Sequence, residues 1–314
     1  MAWEVVRYLV EPRQWTVLPA DWTALFGRPA PLAVEIGFGN GEFLAELARE
    51  RPHWNLVGFE VALTCLKKAG TRLAQAGVEN VRLARVDGKF ALRELFPAES
   101  VEEVYLNFPC PWPKARHAPR RLVDREFVRI LAGVLAPRGK FFLTTDVDWY
   151  AQNAAQVLRE DGGFSLRGPR PLGEGGPGTR YERKWRREGR PIFRLEAEKV
   201  AGREHVRIAE GEMPHVKLTQ QVRKEEVEAL VGLKESWPGG AFVVKGAYWN
   251  PAGEEGLLRV FATDQGFQQQ YFLAVVRGAG GWMVKLDGAT VPFRTPAVKR
   301  SVVQVAAVLE GRKP

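Results

Sequence analysis

Leu32-Ala33-Val34-Glu35-Ile36-Gly37-Phe38-Gly39-Asn40-Gly41-Glu42 is the stretch whose reading decides the fold. A short apolar run stopped by glycines reads as a buried strand. From 42 to about 51, Phe43, Leu44, Leu47 and Ala48 recur on one face of a helix. Strand, glycine turn and helix together make the first unit of a doubly wound sheet. The rhythm then repeats. Strands are expected at 55–60, 81–86, 101–106 and 140–146, helices at 62–76, 122–135 and 148–160. Gly77 closes the second helix, and Pro137 with Gly139 stop the third. A flexible loop is expected at 168–178 and a late strand at 190–197.

Beyond about Gly202 the pattern changes. A charged amphipathic helix is expected at 218–233, then strands at 242–249, 257–262, 270–276 and 282–286, then a helix at 295–309. Consecutive strands with no helix between them imply an antiparallel sheet. The expected fold is therefore α/β, a Rossmann-like sheet with helices on both faces, followed by an α+β domain with a small antiparallel sheet. The expected boundaries are an irregular N-terminal arm at 1–31, the α/β domain at 32–202 and the accessory domain at 203–314.

Composition narrows the class. The chain has 314 residues and a formal charge of +9, a balance that favours a polyanionic partner. No apolar run approaches the roughly 20 residues of a membrane span. Glu4 and Arg7 interrupt the start where a leader needs an apolar core. Two cysteines, Cys65 and Cys110, make no disulfide framework, and no Cys/His spacing matches a metal site. A reducing cytoplasm, no membrane, no metal and no obligate protein partner are the expectations.

Acids stand at the ends of three successive strands: Glu35, Glu60 and Asp87. In open α/β sheets, ligands bind at the carboxyl ends of strands. Gly37, Gly39 and Gly41 let a ligand approach the backbone. A dinucleotide fingerprint needs a glycine where Glu42 stands, and Glu35 and Glu42 would repel a pyrophosphate. A sulfonium cofactor carries positive charge and no phosphate, so the acids fit S-adenosylmethionine. Glu35 then faces its methionine part, Glu60 the ribose hydroxyls and Asp87 the adenine amino group. The alternative for Asp87 is a helix N-cap.

After the fourth strand comes Asn107-Phe108-Pro109-Cys110-Pro111-Trp112-Pro113-Lys114-Ala115-Arg116-His117. Its alternate prolines end the strand and stiffen the turn. Trp112 beside Lys114, Arg116, Arg120 and Arg121 suits a nucleobase on a phosphate backbone. A second cationic cluster, Arg180, Arg183, Lys184, Arg186, Arg187 and Arg190, surrounds Tyr181 and Trp185. Both read as a salt-sensitive track for RNA, with a solvated charged face as the alternative for part of the second.

These residues resemble the bacterial tRNA (guanine-N7)-methyltransferases over roughly residues 30–199. Asn107, Phe108, Pro109, Pro111, Trp112, Lys114, Arg116 and His117 match the family's N-F-P-D-P-W-x-K-x-R-H. Thr145-Asp146 resembles its T-D motif, and Thr179-Arg180-Tyr181-Glu182 its T-x-[YF]-E motif. The resemblance implies methylation of guanosine 46 in the tRNA variable loop. It places Glu35, Glu60, Asp87, Asn107 and Cys110 at the cofactor and Lys114, Arg116, His117, Asp146, Thr179, Arg180, Tyr181 and Glu182 at the substrate. The departure is Cys110, where the family has an aspartate often called catalytic. Guanine N7 carries a lone pair and no proton, so the transfer needs alignment more than a base. Asp146 or Glu182 is then expected to hold the guanine edge, with Asp146 the main catalytic candidate and Cys110 a minor one, read first as a compact packing residue. Two rival readings are an amino-group methyltransferase with an N-P-P-[YF]-like loop and an RNA-binding protein on a decayed methyltransferase fold. The C-terminal domain lies outside the resemblance. Tyr248, Trp249, Phe267 and Arg300 are its candidates for gripping tRNA.

Overall fold

The computed structural model describes residues 5–173, 178–252, 255–278 and 280–312. The chain divides into two compact units, Met1–Val206 and Arg207–Pro314.

The first unit is built on seven strands: β1 (Leu32–Ile36), β2 (Asn55–Phe59), β3 (Val81–Ala84), β4 (Val101–Asn107), β5 (Leu135–Thr145), β6 (Phe164–Pro171) and β7 (Phe193–Lys199). Their order is β3-β2-β1-β4-β5-β7-β6. The first five run parallel, and β7 is antiparallel to both of its neighbours. Every residue of β1 and β2 is buried, as a parallel sheet covered on both faces requires. On one side, Phe43, Leu44 and Leu47 of α2 (Glu42–Glu50) and Leu66 and Leu73 of α3 (Leu63–Ala76) close over Ala33, Leu56 and Leu83. The helices α4 (Gly88–Glu94), α5 (Arg125–Val134) and α6 (Asp148–Asp161) bury Phe90, Phe127, Leu131 and Leu158. The doubly wound expectation holds.

Three local readings change. Residues 5–31 of the arm, expected to be irregular, pack onto this unit and carry a short helix. Buried Tyr8 donates to the Val78 carbonyl (2.6 Å), and Trp22 of α1 (Trp22–Phe26) donates to that of Leu95 (2.9 Å). Part of the expected loop at 168–178 is the edge strand β6. An edge tolerates its Gly168-Pro169, where the register against β7 shifts. Residues 174–177 of that loop lie outside the described residues. The helix at 88–94 carries no expectation, because fewer than two turns show little periodicity.

The second unit is a six-stranded antiparallel sheet: β8 (Val216–Lys217), β9 (Lys234–Trp237), β10 (Gly240–Asn250), β11 (Glu255–Asp264), β12 (Phe267–Gly278) and β13 (Gly281–Leu286). Its order is β8-β13-β12-β11-β10-β9. The expected helix at 218–233 shrinks to α8 (Lys224–Glu228). Leu218, Val222, Val227 and Leu230 are buried, so the apolar spacing was real. The chain before α8 turns aside instead, because Thr219 bonds to Glu310 (N 2.5 Å, Oγ1 2.7 Å) at the end of α9 (Pro296–Leu309). That last helix lays Val298, Val302 and Val305 on the inner face of the sheet.

Candidate active site

Strand order reverses between β1 and β4, so their carboxyl ends open a crevice. Glu35 is the penultimate residue of β1 and only 2% exposed. Its Oε1 accepts from Asn107 Nδ2 at the end of β4 (3.0 Å). Its Oε2 is buried with no hydrogen-bond partner among the described residues. Burial pushes this carboxyl up to about 8; the Asn107 bond opposes the rise and the Glu60 charge adds to it.

The glycine loop wraps in front. Gly37, Gly39 and Gly41 all have positive φ. A Cβ at Gly41 would stand 2.6 Å from the Ala69 Cβ of α3, so only glycine fits there. Gly37 and Gly39 face open space instead. Glu60 ties this loop to the next one. Its Oε2 accepts from Gly39 N (3.3 Å), its Oε1 from Val61 N (2.8 Å) and Ala62 N (3.1 Å). Asp87 caps α4 by accepting from Phe90 N (2.9 Å), so the N-cap alternative describes its geometry.

Across the crevice, the loop after β4 is braced from within. Phe108 and Trp112 both adopt positive φ. Phe108 N donates to the Thr144 carbonyl (2.7 Å). His117 meets Trp112 edge-on at 5.5 Å, and the Arg120 guanidinium covers the Trp112 ring at 5.0 Å. Arg121 donates to the Trp112 carbonyl (3.2 Å) and stacks on Trp149 at 4.9 Å. Arg120 and Arg121 therefore stiffen the loop, and Arg120 stays exposed while doing so. Lys114 and Arg116 are exposed, and Cys110 is an exposed free thiol. Asp146 follows β5 half-buried, and among the described residues no hydrogen bond or ion pair holds its carboxylate.

The late motif opens α7 (Arg180–Arg187). Thr179 is its N-cap, accepting from Glu182 N (3.0 Å). The Glu182 carboxylate is occupied by Arg186 (Nε 3.0 Å), unlike that of Asp146. Arg183 reaches back to Glu42 and to Glu46 (3.3 Å), and Gly178 N also donates to Glu46 (2.7 Å). Arg190 and Lys184 flank Trp185 at 4.2 and 4.3 Å. Much of the second cationic cluster thus makes contacts within the protein, although its side chains remain exposed. Tyr181 stays exposed, and its ring lies 5.9 Å from Phe108. The two motif loops, some 70 residues apart, meet at that contact. The Arg183 tie went unread, although Glu42 and Glu46 stand one helical turn apart and offer a paired acidic face.

A family model described as "Putative methyltransferase" matches residues 29–195. The tRNA (guanine-N(7)-)-methyltransferase of Thermotoga maritima is 41% identical over 98% of this chain and 98% of its own. The chain belongs to the tRNA (guanine-N(7)-)-methyltransferase family. A member from Coprothermobacter proteolyticus is 34% identical over 95% of this chain and 92% of its own, so the similarity extends through the second unit. The Thermus thermophilus member is 41% identical over 59% of each chain.

Family membership implies S-adenosylmethionine as methyl donor. The residues present fit it. A buried carboxylate oxygen with no donor accommodates a cationic group. The open glycine loop leaves room for a ligand against the backbone, and Glu60 lies at that loop. Among the described residues there is no cluster of His, Cys, Asp and Glu that could hold a metal, and no helix long and apolar enough to cross a membrane.

Proposed function

We propose that the chain transfers a methyl group from S-adenosylmethionine to N7 of guanosine in tRNA, at position 46 of the variable loop. One observation carries this reading: Phe108 of the loop after β4 meets Tyr181 of the late motif beside the crevice that holds Glu35. Cofactor acids and base-contacting aromatics are thereby gathered at one strand end.

When bound, the donor supplies a methyl group on a positively charged sulfur. Glu35 balances that positive charge, and its unused oxygen accepts from the donor's amino group. Glu60 and the glycine loop take the ribose, and Asp87 keeps one oxygen for the adenine edge. Guanine N7 attacks with its own lone pair, so no side chain removes a proton. The task of the chain is to hold N7 in line and exclude water. Asp146, the carboxylate with no internal partner, accepts from guanine N1–H and the 2-amino group. It also stabilises the positive charge that develops on the base. Thr179 and Glu182 set the α7 turn that presents Tyr181 and Arg180. Lys114 and Arg116 contact phosphates, while His117 buttresses Trp112. Cys110 is exposed and takes no part in bond making.

Incubation with labelled S-adenosylmethionine and unmodified tRNA, followed by nucleoside analysis, tests the reading. The expected product is 7-methylguanosine at position 46, cut by about 100-fold in Asp146→Ala with donor affinity retained, as for loss of a group acting in the transition state. A different methylated nucleoside would leave the fold standing and overturn the substrate.

A further inference from the structure

Strands of the second unit alternate over much of their length, with a register shift between Val244 and Gly246 of β10. Inward residues such as Phe242, Val260 and Leu273 are buried under α9. The opposite face has no layer over it among the described residues, yet it is not a simple polar surface. Phe261 of β11 is 41% exposed and Tyr248 of β10 is 50% exposed. Phe272 of β12 stands on the same face, half-buried. Of the four residues expected as tRNA contacts, Tyr248 is the one whose ring lies exposed on this face. Phe267 is buried, Trp249 stacks against the inner Trp282 at 6.1 Å, and Arg300 covers Trp237.

The rings form two stations. At one, Tyr248 and Phe272 meet at 6.3 Å, although β11 runs between their strands. The residue of β11 between them in register is Arg259, paired with Phe272 on one side and Gly246 on the other. Gly246 has no side chain, and the Tyr248 ring leans over it. Arg259 Nε is buried with no hydrogen-bond partner among the described residues. At the other station, a hollow of about 490 Å³ is walled by Phe261 and Val243. Ser236, Thr263 and Gln268 supply donors and acceptors around it, and Lys234 stands at its edge.

The unpaired charge on this face is mainly positive. Lys234, Arg259 and Lys285 enter no ion pair among the described residues. Glu235 also lines the hollow, but its carboxylate is paired with Arg300 (2.8 Å), and the acids Glu255 and Asp287 lie at the rim and accept from Asn250 Nδ2 and Ala289 N. Exposed rings set among unpaired cations, with amide and hydroxyl groups between them, match the chemistry of unstacked bases on a phosphate chain. The two stations are two residues apart on β11, about 7 Å, roughly twice the 3.4 Å base spacing of a duplex strand. A stacked duplex therefore cannot use both with adjacent bases, whereas a splayed single strand can.

We propose that the outer face of this sheet is a second RNA-binding surface, which stacks unpaired bases on Phe261 and on the Tyr248–Phe272 pair. The identity of that RNA as tRNA rests on the function proposed above; its single-stranded character rests on the face alone. Lys234, Lys285 and Arg259 neutralise phosphates, and the site contributes to tRNA capture without touching the reacting atoms.

The test uses the full chain. Dissociation constants are measured for a mixed-sequence single-stranded 12-nucleotide RNA, a 12-base-pair RNA duplex and unmodified tRNA. Phe261→Ser and Tyr248→Ser are each expected to weaken the single strand about tenfold, the duplex much less. Val231→Ser, which removes an equally exposed apolar residue outside the sheet, is expected to change nothing. Thermal melting guards against misfolding. Should a serine variant melt early, Phe261→Leu keeps the bulk without the ring and still weakens binding, while Tyr248→Phe keeps it. In methyl transfer, the ring variants raise KM for tRNA and leave kcat unchanged. Unaltered single-strand affinity in well-folded ring variants overturns the proposal, as does loss of a self-associated state in place of RNA affinity. If the chain binds the 12-mer through these rings yet never methylates tRNA, the surface stands and the function proposed for the first unit falls.

Discussion

Replacing Glu35 by Gln separates the energetic cost of this carboxyl from its use. Its ordinary value is 4.5 and burial pushes it to about 8. Below pH 4.5 the group is protonated both folded and unfolded, and it costs nothing. As pH rises from 4.5 to 8, the unfolded chain ionises it while the fold keeps it neutral, so stability is lost progressively. Above about 8 both states are ionised and the loss levels off. At about 1.4 kcal/mol per pH unit, the penalty is about 3 kcal/mol at pH 7 and about 5 kcal/mol above pH 8. Gln keeps the shape and the bond from Asn107, and it never ionises. Glu35→Gln should therefore stabilise the ligand-free protein by about 3 kcal/mol at pH 7 and by nothing near pH 4.5. The assay is urea unfolding with pulsed hydrogen exchange, scored on peptides covering 32–36 so that the first unit is read alone. The same variant should bind S-adenosylmethionine at least tenfold more weakly, since Gln cannot ionise when the cationic donor arrives, whereas a positive charge beside Glu35 favours its carboxylate form. A stability difference that does not change with pH would refute the reasoning, for then Glu35 is not held neutral in the fold.

Other outcomes are expected. Gly41→Ala forces a side chain into positive φ and into Ala69, and should cost about 2–4 kcal/mol in melts of the first unit, with loss of donor binding. Arg183→Ala cuts the tie from α7 to Glu42 and Glu46. Because the pairs are half-exposed, thermal stability should fall by no more than about 1 kcal/mol, while hydrogen exchange across 178–187 speeds up and KM for tRNA rises. Cys110→Ser should retain methyl transfer within a few-fold; a loss comparable to that of Asp146→Ala would show the thiol to be essential.

The doubly wound sheet was legible because its signals are local. The strands are short apolar runs, a glycine turn follows the first at once, and an acid closes three of them. Asp87 was legible as a cap for the same reason. The helix expected at 218–233 shows where local signals fail. Leu218, Val222, Val227 and Leu230 are buried as a helix face would be, but an irregular chain buries them equally well once Thr219 is held by Glu310. Strand β6 was hidden because Gly168-Pro169 reads as loop, and only pairing with β7 makes it an edge strand.

The site divides in the same way. By itself the sequence determined which residue types stand at the strand ends and in the loop after β4, because those positions follow from neighbours in the chain. What each side chain does there was decided by partners far along the chain. Glu35 is half-partnered because Asn107, 72 residues on, takes one oxygen and the fold seals off the other, and that burial is what pushes its carboxyl up. Arg120 and Arg121 look like free cations in sequence, and aromatic faces claim them. Arg183 looks like a phosphate ligand, and α2 binds it. Residue type fixes charge, but burial and long-range pairing fix whether that charge is available, and both exist only once the chain has folded.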